Sequence, residues 1–124
     1  MSDARPLVAV VDDDVSVRES LAGLISELGF STRTFESAAE LLACDSLGEI
    51  QCLIVDVEMP GMSGLELLHK VKHRGYAIPI VFISGRGSEA LRRRLMEDGA
   101  TECLFKPLTS EALLDAIEVA LGTS

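Results

Sequence analysis

The sequence predicts an α/β fold, a parallel five-stranded sheet with helices on both faces. Five short apolar runs alternate with segments whose apolar residues recur at helical spacing. The central runs are unbroken and rich in β-branched residues, as strands covered on both faces require. The length of 124 residues fits one domain, at about 100–200 residues per domain. Hydrophobic residues make up 48% and charged residues 25%, a globular balance that excludes a disordered tail or a collagen-like repeat. Aromatics are 4% with no Trp, so aliphatic side chains must fill the core.

Leu7–Val11 is the first strand. Asp14 caps the helix after it, whose stripe is Val17, Leu21, Leu24, Ile25 and Leu28, and Gly29 ends it. Phe30 to Phe35 is a short, more polar strand suited to a sheet edge. Ser37-Ala38-Ala39-Glu40 has the spacing of a capping box and opens a second helix. The third strand, Cys52–Val55, runs into Asp56, and Met59-Pro60-Gly61-Met62 forms a loop. Ser63 to Glu66 is a second capping box, starting a helix with Leu65, Leu68 and Val71 inward. Ile78 to Ile83 is the fourth strand, ending at Ser84, and Gly85 and Gly87 loosen the next loop. A helix over Glu89–Asp98 stops at Gly99. Its stripe of Leu91, Leu95 and Met96 is thin, which makes it the least firmly packed. Cys103–Phe105 is the fifth strand, followed by Lys106-Pro107. The last helix turns Leu113, Ile117, Ala120 and Leu121 inward and closes at Gly122.

Crossovers in such units are right-handed, and the expected arrangement is the flavodoxin-like (βα)5 three-layer sandwich of strand order 2-1-3-4-5. Strands one and three are then central neighbours, and ligands bind beyond the carboxyl ends of the strands. The residues just past the strands are Asp12 and Asp13, Asp56, Ser84 and Lys106, all polar. Three carboxylates brought together repel, so without a cation at least one has its pKa raised. A hard dication such as Mg²⁺ relieves that repulsion. A lysine and a hydroxyl facing the same ion suit a transferring phosphoryl group, and an aspartate nucleophile there yields an acyl phosphate.

Composition excludes other classes. The formal charge of −9, from 20 acidic and 11 basic side chains, repels a phosphate backbone and argues against direct nucleic-acid binding. No apolar run approaches the ~18 residues of a membrane span, and the opening Met-Ser-Asp-Ala-Arg-Pro lacks the apolar core of a signal peptide. Cys44, Cys52 and Cys103 are odd in number and form no CxxC pair, which reads as buried thiols in a reducing cytoplasm.

From Val8 to Leu121 the chain resembles the receiver domain of two-component response regulators. The motifs are Val10-Val11-Asp12-Asp13-Asp14, Ile54-Val55-Asp56 with Met59-Pro60-Gly61, Ile83-Ser84-Gly85, and Lys106-Pro107. Each is weak alone, but together and in order they are highly specific. Val17–Leu21 and Thr34–Ala38 further resemble the FixJ-like subfamily of LuxR-type regulators. The resemblance implies that Asp56 accepts phosphate from a phosphohistidine on a sensor histidine kinase. It implies Mg²⁺ held by Asp13 and Asp56 directly, by Asp12 mainly through water, and by the backbone carbonyl of Glu58. Ser84 is implied to bond a phosphoryl oxygen after activation and Lys106 to pair with the phosphoryl group. The face of the fourth helix, fifth strand and fifth helix is implied to change on phosphorylation and to control homodimerisation or an output. The whole chain, 1–124, then reads as one receiver domain. A linker starts at 122–124, toward a C-terminal DNA-binding helix-turn-helix in a longer regulator, and a single-domain regulator is the other reading.

Two positions depart from the usual pattern or bear on lifetime. Three residues before the lysine the family commonly has Tyr, Phe or His, and here stands Cys103. The expectation is that Ser84 moves inward without a matching ring movement, the signal running through the Ser84 loop and the fourth helix. Glu58 and Arg86 lie two residues beyond Asp56 and Ser84, flanking the path of attacking water in receivers. They are expected to bridge as an opposite-charge pair, worth about 0.5 kcal/mol in stability, and to tune autodephosphorylation.

Other features have plainer readings. Asp14 suits a helix cap. His69 and His73 have metal-ligand spacing but no third ligand, so they belong to an exposed helix face. Arg92-Arg93-Arg94 cannot form one stripe, and one of them is expected to pair with a partner or the last helix. Cys103 reads as inert core. The rival function is a haloacid-dehalogenase-like phosphatase with Asp12 as nucleophile, but nothing past Lys106 supplies that family's later acidic pair, and it leaves Asp56 unexplained. A partner-binding pseudo-receiver conflicts with the complete acidic pocket. A flavodoxin would need a phosphate cradle where the first loop is acidic. The reading is therefore a phosphorylatable switch, not a turnover enzyme.

Overall fold

Burial is continuous along the strands that carry the most β-branched sequence. In the computed structural model, which describes residues 5–122, strands β1 (Leu7–Val11), β3 (Cys52–Asp56) and β4 (Ile80–Ser84) are buried at nearly every position. Strands β2 (Ser31–Phe35) and β5 (Glu102–Phe105) are largely exposed or half-buried and lie at the edges. All pairings are parallel and the order is β2-β1-β3-β4-β5, as the sequence predicts. Residues 123 and 124 of the expected linker lie outside the described residues.

Two helices cover one face and three the other. Leu21 and Ile25 of α1 (Val15–Glu27) and Leu113, Ala116 and Ile117 of α5 (Ser110–Leu121) pack on Val8, Val10, Ile54, Val81 and Ile83. On the opposite face, α2 (Ala38–Leu42), α3 (Gly64–His73) and α4 (Glu89–Glu97) pack on Ala9, Val11, Leu53, Val55 and Phe82. A 3-10 turn over Leu47–Glu49 joins α2 to β3. Successive strand residues face opposite layers, which is why Val8 and Val10 meet α1 while Ala9 and Val11 do not. Only Leu95 of α4 is fully buried, so this helix has the thin hold its sequence predicts.

Several local details depart from expectation. Strand β4 starts at Ile80, not Ile78, because Pro79 has no N–H for the ladder, although its carbonyl still accepts from Leu53 N–H at 2.9 Å. Phe30 precedes β2 and packs on the α1–α5 core. In α3 the fully buried residues include Leu67, while Leu65 is only half-buried; in α5 Ala116 is buried, and Ala120 and Leu121 are half-buried. Ser63 and Glu66 form the reciprocal capping box. At Ser37 only half of the box forms, since Ser37 Oγ accepts from Glu40 N–H but Glu40 accepts from Glu36 N–H instead. Gly122, with φ 74°, takes the left-handed turn that ends α5.

The first residue of α3, Gly64, lies against the buried Phe82 ring, and a Cβ there would fall 2.7 Å from ring atom Cε1. Gly64→Ala is therefore expected to destabilise the domain by about 1–3 kcal/mol through overpacking, despite alanine's better helix propensity. Urea unfolding checks this, and an unchanged midpoint would contradict the packing.

Candidate acidic site at the carboxyl edge of the sheet

Among the described residues, the buried polar side chains are Asp12 (2% exposed), Asp56 (9%) and Ser84 (0%), and all three lie at one edge. Parallel strands end on the same side, so β1 delivers Asp12 one residue past Val11, β3 ends in Asp56 and β4 ends in Ser84. The neighbouring order β1-β3-β4 sets them side by side, with Asp56 in register with Ile83. Lys106 follows β5, its N–H donating to the Ser84 carbonyl at 2.9 Å.

Asp12, Asp13 and Asp56 each offer a carboxylate oxygen, all within 4.8 Å of one another. Asp13 is exposed and the other two are buried. One oxygen of each buried acid is fixed by its own loop: Asp12 Oδ1 accepts from Asp14 N–H at 2.9 Å, and Asp56 Oδ1 from Glu58 N–H at 3.0 Å. Burial raises the Asp12 carboxyl above its usual range, and Asp56 and Asp13 raise it further. The Asp14 amide and the Lys106 charge oppose that rise without cancelling it. Burial is the main cause of the rise, and the repulsion between acids that the sequence predicts adds a smaller part. All three donors are carboxylate oxygens, a set that fits a hard dication and not a soft one.

Glu58 faces the end of β4. Its Oε2 accepts from the Ser84 hydroxyl at 2.5 Å and its Oε1 from Gly85 N–H at 2.9 Å. Arg86 N–H is shared between Glu58 Oε2 at 3.3 Å and Ser84 Oγ at 3.2 Å. Burial alone would raise the Glu58 carboxyl, but the bonds from Ser84, Gly85 and Arg86, with the Lys106 charge, bring it below its ordinary value. The expected bridge between Glu58 and Arg86 side chains is thus corrected. The carboxylate meets Arg86 through the backbone amide, and the described ion pairs do not include the Arg86 guanidinium. The hydroxyl and two successive amides already satisfy the carboxylate, so the exposed guanidinium is left to solvent.

Other singled-out residues take structural places. Asp14 caps α1, accepting from Ser16 and Val17 amides. Arg18 donates to the Asp12 carbonyl at 2.8 Å, bracing the loop from the α1 side. His69 Nε2 stands 3.3 Å from Asp98 on an exposed helix face. Arg92 pairs with Glu102 of β5 at 2.8 Å, not with the last helix, because α4 lies directly over that edge strand. Cys103 is buried and burial pushes its thiol up, opposing thiolate formation. Cys52 is pushed up to about 12 by burial.

Sequence reasoning missed two features. Gly85 and Arg86 contribute backbone N–H groups, which carry no residue signature. Phe105, on the same side of β5 as Cys103, lays its ring on Gly87, where a Cβ would fall 1.8 Å from ring atom Cε1. The two-residue alternation of a strand is the signal that links Phe105 to Cys103.

This fold and this edge define a doubly wound α/β domain with an acidic pocket at the carboxyl ends of its strands, and comparison with known proteins gives its family. Residues 8–118 match the family model described as response regulator receiver domain, and the chain belongs to that family of two-component signalling domains. Response regulator protein TodT of Pseudomonas putida is 40% identical over 121 residues, covering 98% of this chain and 53% of that protein. Transcriptional regulatory protein FixJ of Azorhizobium caulinodans is 38% identical over 124 residues, covering 100% of this chain and 58% of that protein. The chain spans about half the length of these curated relatives. Among solved structures, FixJ-N aligns with a TM-score of 0.86 at 32% identity, covering 100% of this chain and 98% of that one. A response regulator receiver domain protein from Clostridium thermocellum aligns at 0.88 and 27% identity, covering 94% of both chains. The family assignment replaces the haloacid-dehalogenase-like reading. No helix among the described residues is long and apolar enough to cross a membrane.

The crowding at Asp12 has a stability consequence. Its folded-state pKa lies above the unfolded 3.8, so the folded state holds the extra proton and stability falls as pH rises through that window. Asp12→Asn is therefore expected to have a higher urea midpoint than the parent at pH 7 without added divalent metal. The difference closes as pH is lowered toward the unfolded value. A midpoint at pH 7 equal to or below the parent's would contradict this.

Proposed function

We propose that the domain takes a phosphoryl group onto Asp56 from a phosphohistidine on a sensor histidine kinase, in a Mg²⁺-dependent reaction, and later loses it by hydrolysis. The observation that supports this best is the convergence of three carboxylates within 4.8 Å, beside a buried hydroxyl at Ser84. In this reading the Asp56 oxygen not held by Glu58 N–H attacks phosphorus. The new O–P bond forms as the donor's N–P bond breaks, and the imidazole departs to recover its proton. Asp13, Asp56 and the Glu58 carbonyl would hold Mg²⁺ directly, with Asp12 holding it through water. When bound, the ion would supply charge neutralisation for the transferring phosphoryl group. Lys106 lies at the same edge, where its charge opposes the rise at Asp12 and helps lower Glu58, and it neutralises a further phosphoryl oxygen. Ser84 donates to the remaining one. Water attack on the acyl phosphate then releases inorganic phosphate and restores the carboxylate.

The output follows the same reading. Residues 1–124 form the receiver unit of a longer cytoplasmic regulator, with a linker beginning at 122–124. Phosphorylation alters the α4-β5-α5 face and favours a homodimer, and a following DNA-binding domain acts on transcription. With a formal charge of −9 the receiver itself does not bind nucleic acid. FixJ and TodT, of which this chain covers 58% and 53%, support a longer chain.

Incubation with acetyl phosphate and Mg²⁺ tests the acceptor. A hydroxylamine-labile phosphoryl adduct is expected on the parent domain, and it should be absent from Asp56→Asn and lost when EDTA removes the metal. Labelling that persists in Asp56→Asn, or maps to Asp12, would overturn the assignment.

A further inference from the structure

The groups suited to receive a phosphoryl oxygen at the end of β4 already hold a carboxylate. Glu58 places Oε2 on the Ser84 hydroxyl and Oε1 on the Gly85 N–H, with Arg86 N–H on Oε2 as well. These donors are consecutive in the chain and open the loop that leads into α4. A negative group presenting two oxygens to one hydroxyl and successive amides is the face a phosphoryl group presents. Glu58 is tied to Asp56 by only two residues, and its own N–H donates to the Asp56 carboxylate.

We propose that the Glu58 carboxylate is an internal competitor for the phosphoryl-binding donors, occupying Ser84 and Gly85 until phosphorylation of Asp56 expels it. The inference rests on the reading of Asp56 as phosphoacceptor and assigns that site an intrinsic threshold. The Ser84 hydroxyl has a single proton and Gly85 a single N–H, so neither serves Glu58 and a phosphoryl oxygen at full strength together. A phosphoryl group adds about −1.5 to −2 charges beside the carboxylate, and the repulsion favours expulsion. Glu58 is exposed, so the departing carboxylate is readily taken up by water. Its contacts are charge-assisted, the stronger class of hydrogen bond, and they fasten the β4–α4 loop in the unphosphorylated state. Beyond that loop Leu95 is the one fully buried side chain of α4, so releasing the carboxylate frees a helix with little other hold.

The test titrates beryllium fluoride, a stable phosphoryl stand-in, with Mg²⁺ into the parent domain, Glu58→Ala, Glu58→Gln and Asp56→Asn. Amide NMR spectra follow each titration. Glu58→Ala is expected to saturate at about tenfold lower concentration than the parent, the scale of one charged hydrogen bond, with Glu58→Gln between them. The Gly85 amide proton should lie downfield in the free parent, move upfield in free Glu58→Ala, and return downfield when beryllium fluoride binds. A merely structural role for Glu58 would not produce that exchange of partners. Binding that depends on Asp56 but has the same affinity in all Glu58 variants overturns the competitor role alone. Absence of binding to the parent, or equal binding to Asp56→Asn, overturns the phosphoacceptor reading and the competitor with it.

Discussion

Two carboxylates buried beside each other at a sheet end are the constraint on which the rest of this domain depends. Asp12 and Asp56 sit there because β1 and β3 are hydrogen-bonded neighbours running the same way, and each strand is sealed from water up to its last residue. Burying like charge is costly, and the raised pKa of Asp12 records the cost. The fold holds the arrangement with helix layers on both faces of the sheet, so the acids cannot relax apart without opening one core or the other. Such an edge is strongly biased toward whatever brings positive charge to it.

Rigidity is unevenly distributed around that edge. The Asp12 loop is braced by the Asp14 cap, by Arg18 and by the β2 carbonyl of Phe35, which accepts from Asp12 N–H. The β4–α4 side is held differently. Its contacts are the Glu58 hydrogen bonds, the seat of Phe105 on Gly87, and the partly exposed Arg92–Glu102 pair, which is screened by solvent. Polar and surface contacts can be exchanged for others of similar strength, whereas a sealed apolar core has no second arrangement of equal energy. The β4–α4 loop, fastened by one carboxylate that another anion could replace and leading into a helix with one fully buried side chain, is therefore the less firmly held side of the site. Cys103 is small and buried, and Phe105 is the aromatic residue in touch with the β4–α4 loop, its ring lying on Gly87.

The legible part of the molecule was the part encoded by runs and periods. Apolar β-branched runs marked β1, β3 and β4, and the capping residues Asp14 and Ser63 marked helix starts to the residue. Because strand ends are sharp in such runs, Asp12, Asp13, Asp56, Ser84 and Lys106 were visible as a group before any geometry was known. Pro79 displaced the start of β4, and Leu67 took the burial expected of Leu65, since both depend on how an element meets its neighbour. The half-formed cap at Ser37 has the same origin, a choice between two nearby amides for one carboxylate.

The amino-acid order alone determined the α/β class and put the acids at strand ends, because these follow from hydrophobic periodicity. The order 2-1-3-4-5, one of several that right-handed crossovers allow, came from likeness to a known fold. The partner of Glu58 was decided only in three dimensions. Opposite charge pointed to the Arg86 side chain, yet the carboxylate chose the Ser84 hydroxyl and the amides of Gly85 and Arg86. Backbone donors are the same at every residue and so leave no trace in sequence, and their direction is fixed only when the loop closes over the strand end.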